Sequence, residues 1–256
     1  MANPALDKEF GQLPAATDVT LDQPPVSPIS SEGDRMTIGG TAAKTGFFLL
    51  LVLGAGSWGW NLVDPAAGET SIPGWWFFVA IGVLILAIVT AFNPRLAVIT
   101  GPLYSLTMGV ALGAISHIYD EAFEGIVLQA IMATAAVFIV MLVLFVTRTI
   151  RVTQRVRGVI IGATLGIFLF YLGSFLLSLF GVRIPLVWDD GPIGIGFSLL
   201  VVGIASFNLM LDFDMIERGV VAGAPKYLEW YSAFGLMVTI VWMYIEMLRL
   251  IAKVRN

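Results

Sequence analysis

The sequence predicts an all-α membrane protein built as a bundle of seven transmembrane helices. Hydrophobic residues make up 58% of the chain and charged residues only 12%, about half the charged fraction of an ordinary soluble domain. The mean hydropathy is +0.90. Seven apolar runs of 18 to 23 residues are each long enough to cross a bilayer. Only structures that satisfy their own backbone hydrogen bonds can span lipid, and runs of this length indicate helices.

The apolar runs follow a tail of different composition. Residues 1–44 contain five prolines and six acidic residues against three basic ones, so they cannot bury enough apolar area to offset the entropy of ordering. We expect a disordered cytoplasmic tail over 1–44 and a seven-helix transmembrane domain over 45–256. The predicted spans are about 46–63, 75–92, 97–117, 125–147, 158–180, 193–212 and 232–252.

The charges of the connections predict the orientation of the bundle. The connections after the first, third and fifth spans hold seven acids and one base, Arg183. The positive-inside rule therefore places the amino terminus in the cytoplasm, together with the connections after the second, fourth and sixth spans. The membrane that we expect is the plasma membrane. The chain after the seventh span is also basic, which leaves a re-entrant segment as the alternative to seven crossings. The basic residues of the cytoplasmic connections are Arg95, Arg148, Arg151, Arg155, Arg157, Arg218 and Lys226.

Composition excludes several classes of function. Without cysteine there is no disulfide or thiol chemistry, and a single histidine argues against a zinc site. No basic cluster is interleaved with aromatic residues, so we expect no nucleic-acid partner. His117 ends the third span, and its neighbour Ser116 points elsewhere on a helix, which argues against a Ser-His hydrolase. A retinal Schiff base would need a lysine in the middle of a span, and none is there. We expect neither an enzyme nor a bound cofactor.

Two acids lie inside the last two apolar runs. Asp212 closes the sixth run and Glu246 lies deep in the seventh. Carboxylates in membrane segments are costly, so each should face protein or water and is a functional candidate. On a helix, Asp212 shares its face with Asn208 and Ser198, whereas Glu246 shares its face with Thr239 and Arg249. Two partly polar stripes on consecutive helices suggest that the helices face one another.

The residues leave two interpretations of these acids open. In the first, each acid only holds helices together, Glu246 through an i,i+3 pair with Arg249. In the second, the two carboxylates share one proton, and its loss drives them apart and opens a path lined with oxygens. Such oxygens suit Ca²⁺, which makes Asp212 and Glu246 candidate ligands of a transported ion. Arg95, at the cytoplasmic mouth, is either a gating partner for a carboxylate or an anchor at the membrane surface.

Glycines at four-residue spacing mark two other spans. They are Gly109 and Gly113 in the third span and Gly158, Gly162 and Gly166 in the fifth. Spacing by four puts small residues on one helix face, where neighbouring backbones can approach closely. We expect tight helix packing at both places.

The surroundings of both acids resemble the Bax inhibitor family, also called the transmembrane Bax inhibitor motif proteins. In that family an Asp of the sixth span follows an apolar residue and precedes an Ile by four positions, as Asp212 and Ile216 do here. The last helix of the family carries an acid in an aromatic and apolar setting, similar to 243–246. Further likeness lies in 109–119, 128–130 and 148–157. Residues 41–254 look like an actinobacterial-type branch of the family.

The resemblance implies a seven-helix bundle with the last helix central and a pH-sensitive calcium leak. It also implies that Asp212 and Glu246 form a proton-sensing pair, with Arg95 as the arginine near the cytoplasmic mouth. The chain departs from the family in its second acid, which is usually Asp. The 34-residue separation of the two acids is also wider than usual. The usual separation would put Thr239 in place of the second acid.

A different arrangement of the last span would restore the pair. An interfacial helix over 225–233 would let the last span begin near Gly235, and the sixth helix would have to run on to about Gly219. We therefore expect a cation leak, for Ca²⁺, that is gated by protons in the lipid bilayer. A proton-coupled secondary transporter and a non-transporting membrane interaction protein are the alternatives. The sequence does not set the oligomeric state.

Overall fold

A computed structural model describes residues 34–63, 75–150, 152–181, 184 and 190–256, and within them it has seven α-helices and no β-strand. Most of the predicted tail, residues 1–33, lies outside the described residues, as do Arg151 and Arg183. The all-α class is confirmed for the described part of the chain. The helices are α1 (Ile38–Trp60), α2 (Trp75–Phe92), α3 (Ala97–Ala122), α4 (Ile126–Val146), α5 (Gln154–Leu179), α6 (Pro192–Val221) and α7 (Leu228–Arg255).

The helices have the length and composition of membrane spans. Six of them, α1 and α3 to α7, are long and apolar enough to cross a bilayer. The helix α2 is 18 residues long and is preceded by undescribed residues and followed by a short 3₁₀ turn at Pro94–Leu96. These lengths define a multi-pass helical membrane protein, and the count of seven crossings stays a prediction.

The first helix begins earlier than the sequence predicted. Thr37 caps it, because its side-chain oxygen accepts a hydrogen bond from the Gly40 backbone N–H at 2.9 Å. The helix therefore takes in 38–44, which composition alone assigns to the tail. By composition, the polar residues that cap a helix cannot be told from those of a disordered tail. Only their position about one turn before an apolar run distinguishes them.

The last two helices settle the arrangement that the sequence left open. The helix α6 runs through Gly219 to Val221, as the predicted pairing required. The helix α7, however, is continuous from Leu228, so no separate interfacial helix occupies 225–233. A turn closed by hydrogen bonds from Leu228 N to Pro225 O and from Glu229 N to Lys226 O leads directly into it. Glycine is a weak helix former but does not end a buried helix, so Gly235 does not mark a start.

Close backbone contact occurs at one of the two predicted glycine patterns. A Cβ on Gly113 would lie 1.9 Å from the Gly56 carbonyl oxygen of α1, and one on Gly109 would lie 2.6 Å from the Val52 carbonyl oxygen. The α1–α3 packing therefore depends on glycine. The prediction for α5 is wrong within the described chain, because nothing lies within 4 Å of a Cβ at the three α5 glycines, Gly158, Gly162 and Gly166.

The helix α7 connects the two ends of the bundle. It packs against α1, α3, α4 and α6, and half of its most apolar window is buried, as in α3. At its start, Pro225 bridges Arg35, which precedes α1. At its finish, the Arg255 guanidinium donates to the Glu124 carbonyl between α3 and α4 at 3.0 Å. We call these the amino-terminal end and the carboxyl-terminal end of the bundle.

Candidate functional site

Asp212 lies against α7 with one oxygen unsatisfied. Its Oδ1 atom is 3.9 Å from the position that a Gly235 Cβ would take, and the Thr239 side chain one turn further along α7 also interacts with the carboxylate. The Oδ2 atom is buried and has no hydrogen-bond partner in the part of the chain that the structure describes. No lysine or arginine of the described residues lies within ion-pair distance of Asp212. A buried carboxyl oxygen without donor or cation is costly in the ionised form.

The structure does not bring Asp212 and Glu246 together. Glu246 lies seven residues beyond Thr239 on the same helix, which places it about 10 Å further along α7 at 1.5 Å per residue. The cause is the continuity of α7 from Leu228, because a later start would have raised Glu246 to the level of Asp212. Thr239 is therefore the side chain opposite Asp212, which is the alternative register that the sequence allowed.

Glu246 lies in a separate buried cluster of its own. Its side chain is only 1% exposed and its Oε1 atom accepts hydrogen bonds from the Arg249 guanidinium at 3.0 Å and from the Trp242 indole N–H at 3.2 Å. The Tyr171 hydroxyl of α5 donates to the other oxygen, Oε2, at 3.1 Å. The Arg249 guanidinium also lies over the Tyr171 ring, 4.8 Å from its centroid. This is a compensated ion pair that joins α5 to α7.

The remaining predicted site residues are dispersed. Arg95 is exposed and lies over the Tyr227 ring, 5.7 Å from its centroid, at the amino-terminal end. Neither of the two acids is among its contacts in the described chain. Asn208 donates to the Thr164 hydroxyl of α5 at 2.7 Å, so it faces a different helix from Asp212. Ser198 is buried within α6. The predicted polar stripe is thus divided between two helix interfaces.

Ion pairs tie the α4–α5 connection and the first turn of α5 to α6 at the amino-terminal end. Arg157 reaches Asp214 at 3.0 Å, and Arg218 also pairs with Asp214. Arg148 pairs with Glu217 through two hydrogen bonds, and this carboxylate raises the pKa of the Arg148 guanidinium. Asp214 therefore faces Arg157 and Arg218, although it lies only two residues from Asp212 along α6.

Basic residues of the last turns of α7 bind oxygens at the carboxyl-terminal end. The Lys253 ammonium donates to the Gly194 carbonyl at 3.2 Å, and the Asn256 amide donates to the Asp190 carboxylate. A cavity of about 160 Å³ lies here, above the Glu246 cluster, and Arg249 and Tyr119 line it. This cavity gives Arg249 its partial exposure of 28%.

Sequence reasoning missed a second buried acid of α7, Glu229. Its side chain is 1% exposed and accepts a hydrogen bond from the Lys44 ammonium at 2.5 Å and two from Thr37 at 2.8 Å each. Its position at a helix start near the membrane surface suggested an exposed residue. The available signal was Lys44, a cation directly before the first apolar run.

A fixed metal centre finds no support in the described residues. They contain no group of three or more His, Cys, Asp or Glu side chains that could hold a metal ion.

The length and hydropathy of its helices make this chain a multi-pass helical membrane protein, and two of these helices carry buried carboxylates. A family model described as "Bax inhibitor 1 like" matches residues 3–256, and the chain belongs to this family. The resemblance drawn from the sequence is thereby confirmed at the level of the family, whereas its actinobacterial branch stays a prediction. Among curated proteins and among solved structures, no match was found.

Proposed function

We propose that this protein lets cations, Ca²⁺ in particular, pass through a membrane, and that a proton on Asp212 closes the path. The observation that carries the proposal is the buried Oδ2 atom of Asp212, which has neither a hydrogen-bond donor nor a cation beside it among the described residues. A carboxyl group in that position is stable when it holds a proton or when a cation takes the proton's place. Protons and cations therefore compete for one group.

The neighbours of Asp212 suit a hard cation in transit. The Thr239 hydroxyl adds an oxygen to those of the carboxylate, and oxygen ligands are preferred by Ca²⁺. In this proposal Glu246 does not share the proton, because Arg249 already compensates its charge. Its role is to fix α5 and α7 beside the path.

The orientation and the number of crossings belong to the same proposal. The start of α1 and the finish of α7 lie at opposite ends of the bundle, which supports an odd number of crossings and, with the seven helices of the described residues, seven. Arg95, Arg148 and Arg157 all lie at the amino-terminal end, which supports a cytoplasmic position for that end in the plasma membrane. Exposed Arg95 then lies at the cytoplasmic mouth, where it can influence cation entry without contact to Asp212.

Calcium flux into liposomes tests the proposal. Purified protein is reconstituted with a trapped calcium indicator, and the initial rate is measured between pH 5.5 and 8. We expect flux down a calcium gradient that rises with pH in the manner of a single titrating proton. Asp212→Asn, which cannot lose a proton, should give low flux at all pH values. Asp214→Asn, the same change two residues along α6, should keep the parent profile because Asp214 faces Arg157 and Arg218.

Three results would contradict the proposal. A parent-like pH profile in Asp212→Asn would remove Asp212 from the mechanism. Flux that depends on an opposing proton gradient would identify a proton-coupled transporter. No flux of Ca²⁺ or of monovalent cations at any pH would favour a membrane interaction protein instead.

A further inference from the structure

A short extended segment before α1 crosses the amino-terminal end of the bundle. Its three residues are Arg35, Met36 and Thr37, and we call it the strap. Arg35 forms an antiparallel bridge with Pro225, and the Met36 backbone N–H donates to the Ala224 carbonyl at 2.7 Å. Thr37 has extended backbone angles, φ −129° and ψ 151°, and caps α1. The strap is therefore fixed to the connection between α6 and α7 by its backbone.

A buried carboxylate of α7 fastens the far side of the strap. Glu229 accepts hydrogen bonds from both the backbone N–H and the hydroxyl of Thr37, and its second oxygen pairs with Lys44. The carboxylate lies directly on the backbone of Gly40, where an added Cβ would be only 2.3–2.5 Å from its atoms. A side chain at Gly40 cannot coexist with this contact, because the carboxylate is already held by three hydrogen bonds.

The strap lies on the helix face that leads to Asp212. Met36 is 3% exposed, and its sulfur is 2.9 Å from the position of a Gly219 Cβ. Gly219 follows Asp212 by seven residues, so the two share one face of α6 about 10 Å apart. Met215 lies between them on that face, and its methyl group is 4.0 Å from the Cβ position of Gly235, which also borders Asp212.

We propose that the strap is a cover that separates the space around Asp212 from the solution at the amino-terminal end, and that its release opens that space. The inference deepens the proposed function and rests on it for the role of Asp212. That the strap covers this end of the bundle rests only on the contacts of the strap described above. The Met36 side chain is unbranched and adaptable, which suits a plug that leaves and returns. Glu229 supplies the hold, because its two hydrogen bonds from Thr37 must break before the strap can move away.

Cysteine labelling tests the closure without any measurement of ion flux. The chain has no cysteine, so Met215→Cys introduces a single reporter between the strap and Asp212. The protein is placed in lipid nanodiscs and exposed to a membrane-impermeant cationic methanethiosulfonate, and the rate of modification is followed by intact mass. Gly40→Ala in this background should release the strap. Gly39→Ala is its matched control, since nothing lies within 4 Å of a Cβ at Gly39.

We expect slow labelling in the parent and in Gly39→Ala, and labelling faster by about tenfold or more in Gly40→Ala. A tenfold change corresponds to a shift of about 1.4 kcal/mol in the closed-to-open equilibrium. Met36→Ala shortens the Met36 side chain of the strap without a steric clash and should also accelerate labelling. This variant keeps the test decisive if Gly40→Ala does not fold. Equal rates in Met36→Ala and the parent, or fast labelling of the parent itself, would overturn the proposal.

Flux measurements on the same variants separate this inference from the proposed function. If labelling accelerates but no variant conducts cations, the strap covers Asp212 and the assigned transport is wrong. If the parent conducts under proton control but labelling is unaffected by Met36→Ala and Gly40→Ala, the transport stands and the cover is refuted.

Discussion

Replacing Arg249 with leucine should destabilise the bundle more than replacing Arg249 and Glu246 together. In the single variant, Glu246 remains buried at 1% exposure without its cation. Removing one partner of a buried pair costs about 3–5 kcal/mol. We expect about 3 kcal/mol, the lower end of that range, because Tyr171 and Trp242 still donate to the carboxylate and Arg249 is partly exposed.

The double variant Glu246→Gln with Arg249→Leu removes the stranded charge. The glutamine oxygen can still accept from the Trp242 indole, and its amide can donate to the Tyr171 oxygen, so the remaining cluster is neutral and bonded. Its cost should be about 1–2 kcal/mol, and Glu246→Gln alone should cost about 1 kcal/mol because Arg249 keeps access to the cavity beside it. The coupling between the two positions is then roughly 2–3 kcal/mol.

Unfolding in mild detergent, driven by added sodium dodecyl sulfate and followed by tryptophan fluorescence and circular dichroism, gives the four free energies of this cycle. Arg95→Leu is the matched control, because its exposed guanidinium contacts only the Tyr227 ring among the described residues, and it should cost less than about 1 kcal/mol. A double variant whose cost equals the sum of the two single costs would refute the view of Glu246 and Arg249 as one buried ion pair.

Two further predictions concern packing and backbone strain. Gly113→Ala would set a methyl group 1.9 Å from the Gly56 carbonyl and should cost about 2 kcal/mol or more in the same unfolding assay, whereas Gly158→Ala, with open space at its Cβ, should be neutral or slightly stabilising. Equal costs would contradict the close α1–α3 contact. Arg148 has a left-handed backbone, φ 58°, and an exposed pair with Glu217, so Arg148→Gly should be about 1 kcal/mol more stable than Arg148→Ala; a more stable alanine variant would exclude that strain.

Composition and run length predicted the helices because membrane spans obey one strong constraint. Every backbone polar group in lipid must be satisfied within the segment, so long apolar runs leave little choice of structure. The close contact at Gly109 and Gly113 was also predictable from spacing. The same spacing in α5 gave a wrong prediction, because spacing identifies a small face but does not identify a partner for it. The partner depends on which helices become neighbours.

The candidate site was harder to predict, because depth depends on where a helix begins. The level of Glu246 relative to Asp212 is set by the few residues around Pro225, where a turn or an interfacial helix are both compatible with the composition. Continuous α7 moves Glu246 away by about 10 Å and brings Thr239 opposite Asp212. The i,i+3 pair of Glu246 with Arg249, by contrast, is local and could be read from the sequence.

The separation of the two acids changes what a proton can do in this fold. Two carboxylates at one level would repel each other when the shared proton leaves, and that repulsion would itself move the helices. In the function proposed above, Asp212 has no acidic partner at its level among the described residues, so the loss of its proton would create a site for a cation without repulsion between two acids. Motion would then come from another element. Our two proposals accordingly assign ion competition to Asp212 and closure to the strap and Glu229, which are separate.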